Sequence, residues 1–160
     1  MIRLTPQQIA EYFHRSYTAV DGLWFSKVEE KYGFDVALGI DNEVWKVFPK
    51  IQARLLKSML EMGRGLEALC ECLTTKLVIE GFKFEAKKSG NGVIVTIREC
   101  PWHNLMVKSG REKLSGKVGT MVCNTEYSVW AAEFGDNLSF ELKDQICQGA
   151  PRCVLQFKFA

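Results

Sequence analysis

Apolar residues return every three or four positions from Ile9 to Ile79, and after Gly81 much of the chain alternates residue by residue, so helices are expected first and strands later. Thr5-Pro6-Gln7-Gln8 reads as a helix start: Thr5 can cap, Pro6 fits the first turn, and Gln8 can complete a capping box. Ile9, Tyr12, Phe13, Ser16, Tyr17, Val20, Leu23, Trp24 and Val28 then recur at helical spacing until Gly33, with Asp21-Gly22 as the weak point. Asp35 is a candidate cap for a second helix from about Val36 to Met62, with Val44, Trp45, Phe48, Ile51, Leu55, Leu56 and Met59 as its inward stripe. Pro49 should break or kink that helix near Val47. After Gly63-Arg64-Gly65, a third helix is expected from about Leu66 to Ile79, with Leu66, Leu69, Cys70, Leu73 and Leu77 inward.

Phe82, Phe84 and Ala86 alternate with Lys83, Glu85 and Lys87, and Val93, Val95 and Ile97 resume the alternation beyond Ser89-Gly90-Asn91-Gly92. That pattern predicts a β-hairpin. Cys100-Pro101-Trp102-His103 is read as a loop leaving the second strand. Glu112 to Phe134 reads as a helix weakened in front by Gly116 and Gly119. Leu138, Phe140 and Leu142 alternate as a third strand, and Val154 to Phe159 as a fourth. The expected fold is α+β: N-terminal helices packed on a small, about four-stranded antiparallel sheet, with a long helix between the two hairpin halves.

Composition narrows the class. The chain has 160 residues, which suits a single domain over 1–160, helical over 1–80 and sheet plus helix over 81–160. With 47% hydrophobic and 25% charged residues, it has enough apolar material for a core without disulfides. Lys plus Arg number 21 against 19 Asp plus Glu, and this near balance gives no reason to expect nucleic acid or an anionic membrane as partner. The opening residues lack the apolar core of a signal peptide, and no apolar stretch is long enough to span a bilayer. The expected location is the cytoplasm. A homodimer is compatible with the sequence, which does not fix the oligomeric state.

In a reducing compartment, clustered cysteines point to metal or redox chemistry rather than to disulfides. Cys147 and Cys153 flank a Gly-Ala-Pro turn that could aim both sulfurs at one point. Cys123, on the long helix, and Cys100, beside the rigid Pro101, can complete a tetrahedral set, as can Asp144. His103 is a further candidate ligand. Thiolate-rich sites favour zinc or an iron–sulfur cluster. The alternatives are a reversible Cys147–Cys153 disulfide and ordinary packing, the latter preferred for Cys70 and Cys72.

Tyr12, Trp24, Trp45, Tyr127 and Trp130 put large rings on helix faces. Such rings usually build core, and they also line pockets for flat organic molecules. Asp21 and Glu126, within apolar helix stretches, are candidate polar anchors there, unless they face solvent. His103 and Glu126 are the candidates for acid–base work.

The C-terminal half resembles two related groups through its strand-end cysteine, helix cysteine and strand–Cys147-x-Gly149-x-x-x-Cys153–strand with Phe157 and Phe159. One is the 4-vinyl-reductase-type small-molecule-binding domain of aromatic-responsive bacterial regulators. The other is the L-2-amino-thiazoline-4-carboxylate hydrolase-like family. The resemblance covers about residues 82–159 and implies a helix-plus-sheet fold enclosing a small-molecule pocket. In the regulators, zinc is held by a helix cysteine, an acidic residue and a cysteine pair, matching Cys123, Asp144, Cys147 and Cys153. Asp144 stands where those regulators carry a longer Glu, and the pair is more closely spaced, so Cys100 can replace the acid. The chain is too short to add the regulators' ATPase and DNA-binding domains.

The expectation is therefore a zinc-stabilised, stand-alone sensor or binding module for an aromatic or heterocyclic compound. The alternatives are a metal-dependent hydrolase of a small cyclic amide- or thiazoline-like substrate, and a thiol-redox or iron–sulfur protein.

Overall fold

A computed structural model describes residues 3–159. Its elements run α1 (Pro6–Tyr32), α2 (Phe34–Trp45), α3 (Phe48–Met59), α4 (Leu66–Ile79), β1 (Lys83–Ser89), β2 (Gly92–Glu99), α5 (Pro101–Lys108), α6 (Glu112–Phe134), β3 (Leu138–Leu142), a 3-10 turn (Ile146–Gln148) and β4 (Cys153–Phe159). The expected α+β class is the observed one. The chain divides into two compact units between Asp41 and Asn42. That boundary lies inside α2, not at the helix-to-sheet change near residue 81. No helix among the described residues is long and apolar enough to cross a membrane.

The first unit holds α1 and most of α2. Thr5 and Gln8 form the expected capping box: the Gln8 backbone N–H donates to Thr5 Oγ1 at 3.2 Å, and the Thr5 N–H donates to Gln8 Oε1 at 2.9 Å. The helix passes Asp21-Gly22 unbroken and stops at Gly33, whose φ of 87° suits glycine. Phe25 and Phe34 meet across the bend with ring centroids 5.9 Å apart. Within α1 only Val28 is buried.

The second unit is built on one sheet with strand order β1-β2-β4-β3, antiparallel throughout. Ser89 pairs with Gly92 across a two-residue turn, so Val93, Val95 and Ile97 share the buried face. Val95 pairs with Leu155 and Val93 with Phe157, which places the buried faces of the two central strands side by side. Against them pack α4, through Leu69, Leu73 and Leu77, and α6, through Tyr127, Trp130 and Phe134. α3 closes over α4 and α6 with Ala53 and Leu56, and an Arg54–Glu133 pair at 2.8 Å ties α3 to α6.

The break expected from Pro49 near Val47 is present: the Val36–Met62 stretch is two helices, α2 and α3, because the chain turns at Lys46-Val47 ahead of Pro49. Three other local expectations are corrected. That break resets the helical phase. The buried face of α3 is Pro49, Ala53 and Leu56, whereas Val44, Ile51, Leu55 and Met59, expected inward, are exposed. Asp35 lies in the first turn of α2 rather than capping it. The Cys100–His103 segment opens α5 instead of a loop, since Pro101 occupies a first-turn position where its missing N–H is not needed.

Candidate functional site

Cys100, Cys123, Cys147 and Cys153 come from four successive parts of the sheet half: the β2–α5 corner, α6, the 3-10 turn and the first residue of β4. Cys153 pairs with Ile97, near the end of β2, and so lies on the side of the sheet where Cys100 leaves it. The Cys123 thiol is pushed well above its ordinary range, first by burial, then by Glu126, Cys100, Cys153 and Cys147. Burial likewise pushes the Cys100 thiol up to about 12, against the backbone N–H groups of His103 and Trp102. Cys147 is raised by burial and by Cys153, and Cys153 by burial and, less, by Asp144.

The turn carrying Cys147 is docked on α6 by two glycines. A Cβ on Gly119 would lie 2.6 Å from Cys147 Sγ, and one on Gly116 would lie 3.1 Å from the Cys147 carbonyl oxygen. The glycines that weaken the front of α6 in sequence terms are thus what allows the turn to approach. Gln148 Nε2 donates to Thr120 Oγ1 at 2.6 Å, and the Ile146 N–H donates to Cys153 Sγ at 3.3 Å. Gly149 closes the turn in the left-handed region at φ 91°.

The sulfurs do not form a coordination shell. Among the described residues, no group of three or more His, Cys, Asp or Glu side chains is placed to hold a metal ion. As arranged, the residues do not fit tetrahedral zinc.

Beside the cysteines lies a charge cluster not expected from the sequence. Lys76 of α4 reaches Glu80 at 2.8 Å and Glu126 of α6 at 2.7 Å, with all three side chains under one-tenth exposed. Gln52 of α3 donates to Glu80 at 3.1 Å, and the Lys76 ammonium stands 5.7 Å from the centre of the Phe82 ring. Burial alone would lower the Lys76 pKa, but Glu126 and Glu80 outweigh it and the pKa rises. Burial raises the Glu126 carboxyl, against the pull of Lys76. One ammonium serves two carboxylates, so Lys76 stays charged and Glu126 carries the surplus. Glu126 also raises Cys100, Cys123 and Tyr127, so the charge and cysteine clusters adjoin. The signal for this cluster was a lysine at a core position of α4, between Leu73 and Leu77.

The aromatic candidates separate. Tyr12 and Trp24 are exposed, while Trp45, Tyr127 and Trp130 are buried. Trp130 stacks on Phe134 with ring centroids 5.9 Å apart, and Tyr127 meets Phe140 at 5.6 Å. Trp45 faces Trp102 edge-on at 6.1 Å. Glu126 is buried in the charge cluster, while Asp21 lies in the first unit, its carboxyl raised by burial. His103 stands in the first turn of α5. Among the described residues, Trp130 Nε1, His103 Nδ1 and Gln52 Oε1 are buried polar atoms with no hydrogen-bond partner. They come from α6 and from two helices packed on it, α5 and α3.

This architecture, a four-stranded antiparallel sheet backed by α4 and α6, is an α+β fold shared with a solved small-molecule sensor. The crystal structure of the phenol-responsive sensory domain of the transcription activator PoxR with phenol matches 88% of this chain and 73% of its own, at TM-score 0.53 and 12% identity. The chain itself belongs to a family of unknown function, DUF6125, whose match spans residues 5–151. No curated protein matches it. The family matched is thus neither of the two that the C-terminal pattern resembles, and the agreement with the regulator group is one of fold.

Proposed function

We propose that this chain is a small-molecule-binding sensory module whose ligand is a compact aromatic or heteroaromatic compound. The observation that carries the reading is the Trp130 indole: its ring is fully buried, its N–H can only donate, and it has no partner among the described residues. Leaving such a donor unpaired costs about 1–3 kcal/mol, which a ligand oxygen or ring nitrogen would relieve. His103 Nδ1 and Gln52 Oε1 add further unpaired buried polar atoms on helices packed against α6, and a few such groups are what orient a ligand in a small-molecule site. The fold likeness to a phenol-responsive sensory domain supports the same class of ligand. The test is a thermal-shift and calorimetric screen with phenol, catechol, indole and pyridine derivatives. A binder is expected, and Trp130→Phe, which keeps the ring and removes the donor, should weaken it about ten-fold. If no compound binds, or if Trp130→Phe binds as tightly as wild type, the reading falls.

A second reading is favoured by the docking of the Cys147 turn on α6. Zinc would draw in Cys123, Cys147 and Cys153 together with Asp144 or Cys100, with side-chain rotation, and would bind the C-terminal strand to α6. Support comes from the close approach of Cys147 to Gly119 of α6 and from the Ile146 N–H on Cys153 Sγ, which ties the turn to the start of β4. Metal content and the visible spectrum of anaerobically purified protein decide it. Stoichiometric zinc and a melting temperature lowered by chelator or by Cys147→Ser are expected. Brown protein would replace zinc with an iron–sulfur cluster, and metal-free protein indifferent to added zinc ends this reading.

A further inference from the structure

α1 carries a surface that nothing above uses. Ile9, Phe13, Ser16, Val20 and Leu23 succeed one another at alternating steps of four and three residues, the heptad spacing of a helix-pairing seam. Ile9, Phe13, Val20 and Leu23 are 42%, 64%, 61% and 59% exposed, and Tyr12 and Trp24 beside the seam are 62% and 60% exposed. Phe25, which meets Phe34, and the buried Val28 lie off this seam. Large aromatic side chains bury roughly 150–250 Å² each, so these six residues leave on the order of 700 Å² of apolar surface in water. That exceeds the largest patch on most monomers, about 300–600 Å², and is near the roughly 800 Å² that each partner contributes to a stable interface.

We propose that α1 pairs, antiparallel and about a two-fold axis, with α1 of a second copy of this chain. The seam is self-complementary in a register centred on Thr18. There Phe13 meets Leu23 of the second copy and Ser16 meets Val20, each contact occurring twice. Tyr12 and Trp24 flank the seam over Ser26 and Ala10 of the other helix, large rings over small residues. Over its 27 residues the helix is about 40 Å long, enough for the whole seam to be used. A closed two-fold pair is also the commonest way for a chain to cover such a face.

The experiment is a charge exchange across one layer, read as mass by size-exclusion chromatography with light scattering. Wild type should run at twice the 18.2 kDa chain mass. Phe13→Lys and Leu23→Glu should each halve that mass, because each buries an unpaired charge in the seam. The combined Phe13→Lys/Leu23→Glu chain should recover the dimer, since each new lysine faces a new glutamate of the other copy. Both positions are exposed, so circular dichroism should show every variant folded. A monomeric wild type at about 100 μM would give the face to some other partner and overturn the proposal. A dimer that survives either single substitution would overturn it too. A double variant that stays monomeric would overturn this register.

Discussion

The Lys76 ammonium lies 2.7 Å from the Glu126 carboxylate and joins α4 to α6, with the side chains 3% and 8% exposed. Removing the cation strands two buried carboxylates, and breaking a buried pair in this way typically costs about 3–5 kcal/mol. Lys76→Met should therefore be among the most destabilising single changes in the chain. Adding Glu126→Gln should recover part of the loss, a coupling that urea unfolding of the four proteins would measure.

Glu126 gives a pH signature. Burial raises its carboxyl above the ordinary 4.5, so the folded chain holds this proton more tightly than the unfolded chain. The stabilisation from that proton is complete below about 4.5 and is lost as pH rises through the folded value. Glu126→Gln lacks the titration. The unfolding free energy of wild type relative to Glu126→Gln should thus decline from pH 4.5 toward neutrality; a difference that grows over that range contradicts the assignment.

The thiols should be sluggish. With Cys100 pushed up to about 12 and Cys123 raised further by its neighbours, both are protonated at pH 8. Thiolate, not thiol, is the nucleophile, so iodoacetamide should label these two cysteines at least about ten-fold more slowly in the native protein than in urea. Peptide mass spectrometry, with and without chelator, reads this directly and separates protection by burial from protection by metal.

Two glycines should respond differently to alanine. At Gly92 the new Cβ would lie 2.5 Å from the backbone oxygen of Phe157, so the two central strands would have to part. At Gly119 it would lie 2.6 Å from Cys147 Sγ, a side-chain atom that can rotate. Overpacking costs about 1–3 kcal/mol, and in a helix Ala is about 1 kcal/mol better than Gly. Gly92→Ala should thus lose about 3 kcal/mol and Gly119→Ala about 1 kcal/mol. Cys147→Ala should rescue only Gly119→Ala, as thermal melts would show.

Element type was largely legible because periodicity is a local property. α4 and α6 fall where the spacing put them, and the Thr5 capping box, the Gly33 stop and the Ser89–Gly92 turn are all in place. What failed depends on tertiary context. Pro101 can leave a strand or open a helix, and only the packing of α5 on α6 decides between them. On α3 two apolar stripes compete, and the smaller residues Ala53 and Pro49 face inward because α4 and α6 come close there. The sequence expectation that Cys100, Cys123, Cys147 and Cys153 converge on one ion is not met among the described residues, and Lys76 was passed over because a lysine is rarely core and its partner Glu126 is 50 positions away.

Strand β4 occupies an interior place in the sheet although it is the last of the four to be translated. Until Cys153–Phe159 has left the ribosome, the β1–β2 hairpin keeps an open edge of Val93, Val95 and Ile97, and β3 has no neighbour at all. The nascent chain must shield that edge while it waits, so chaperone dependence and misfolding during synthesis should be concentrated in this interval.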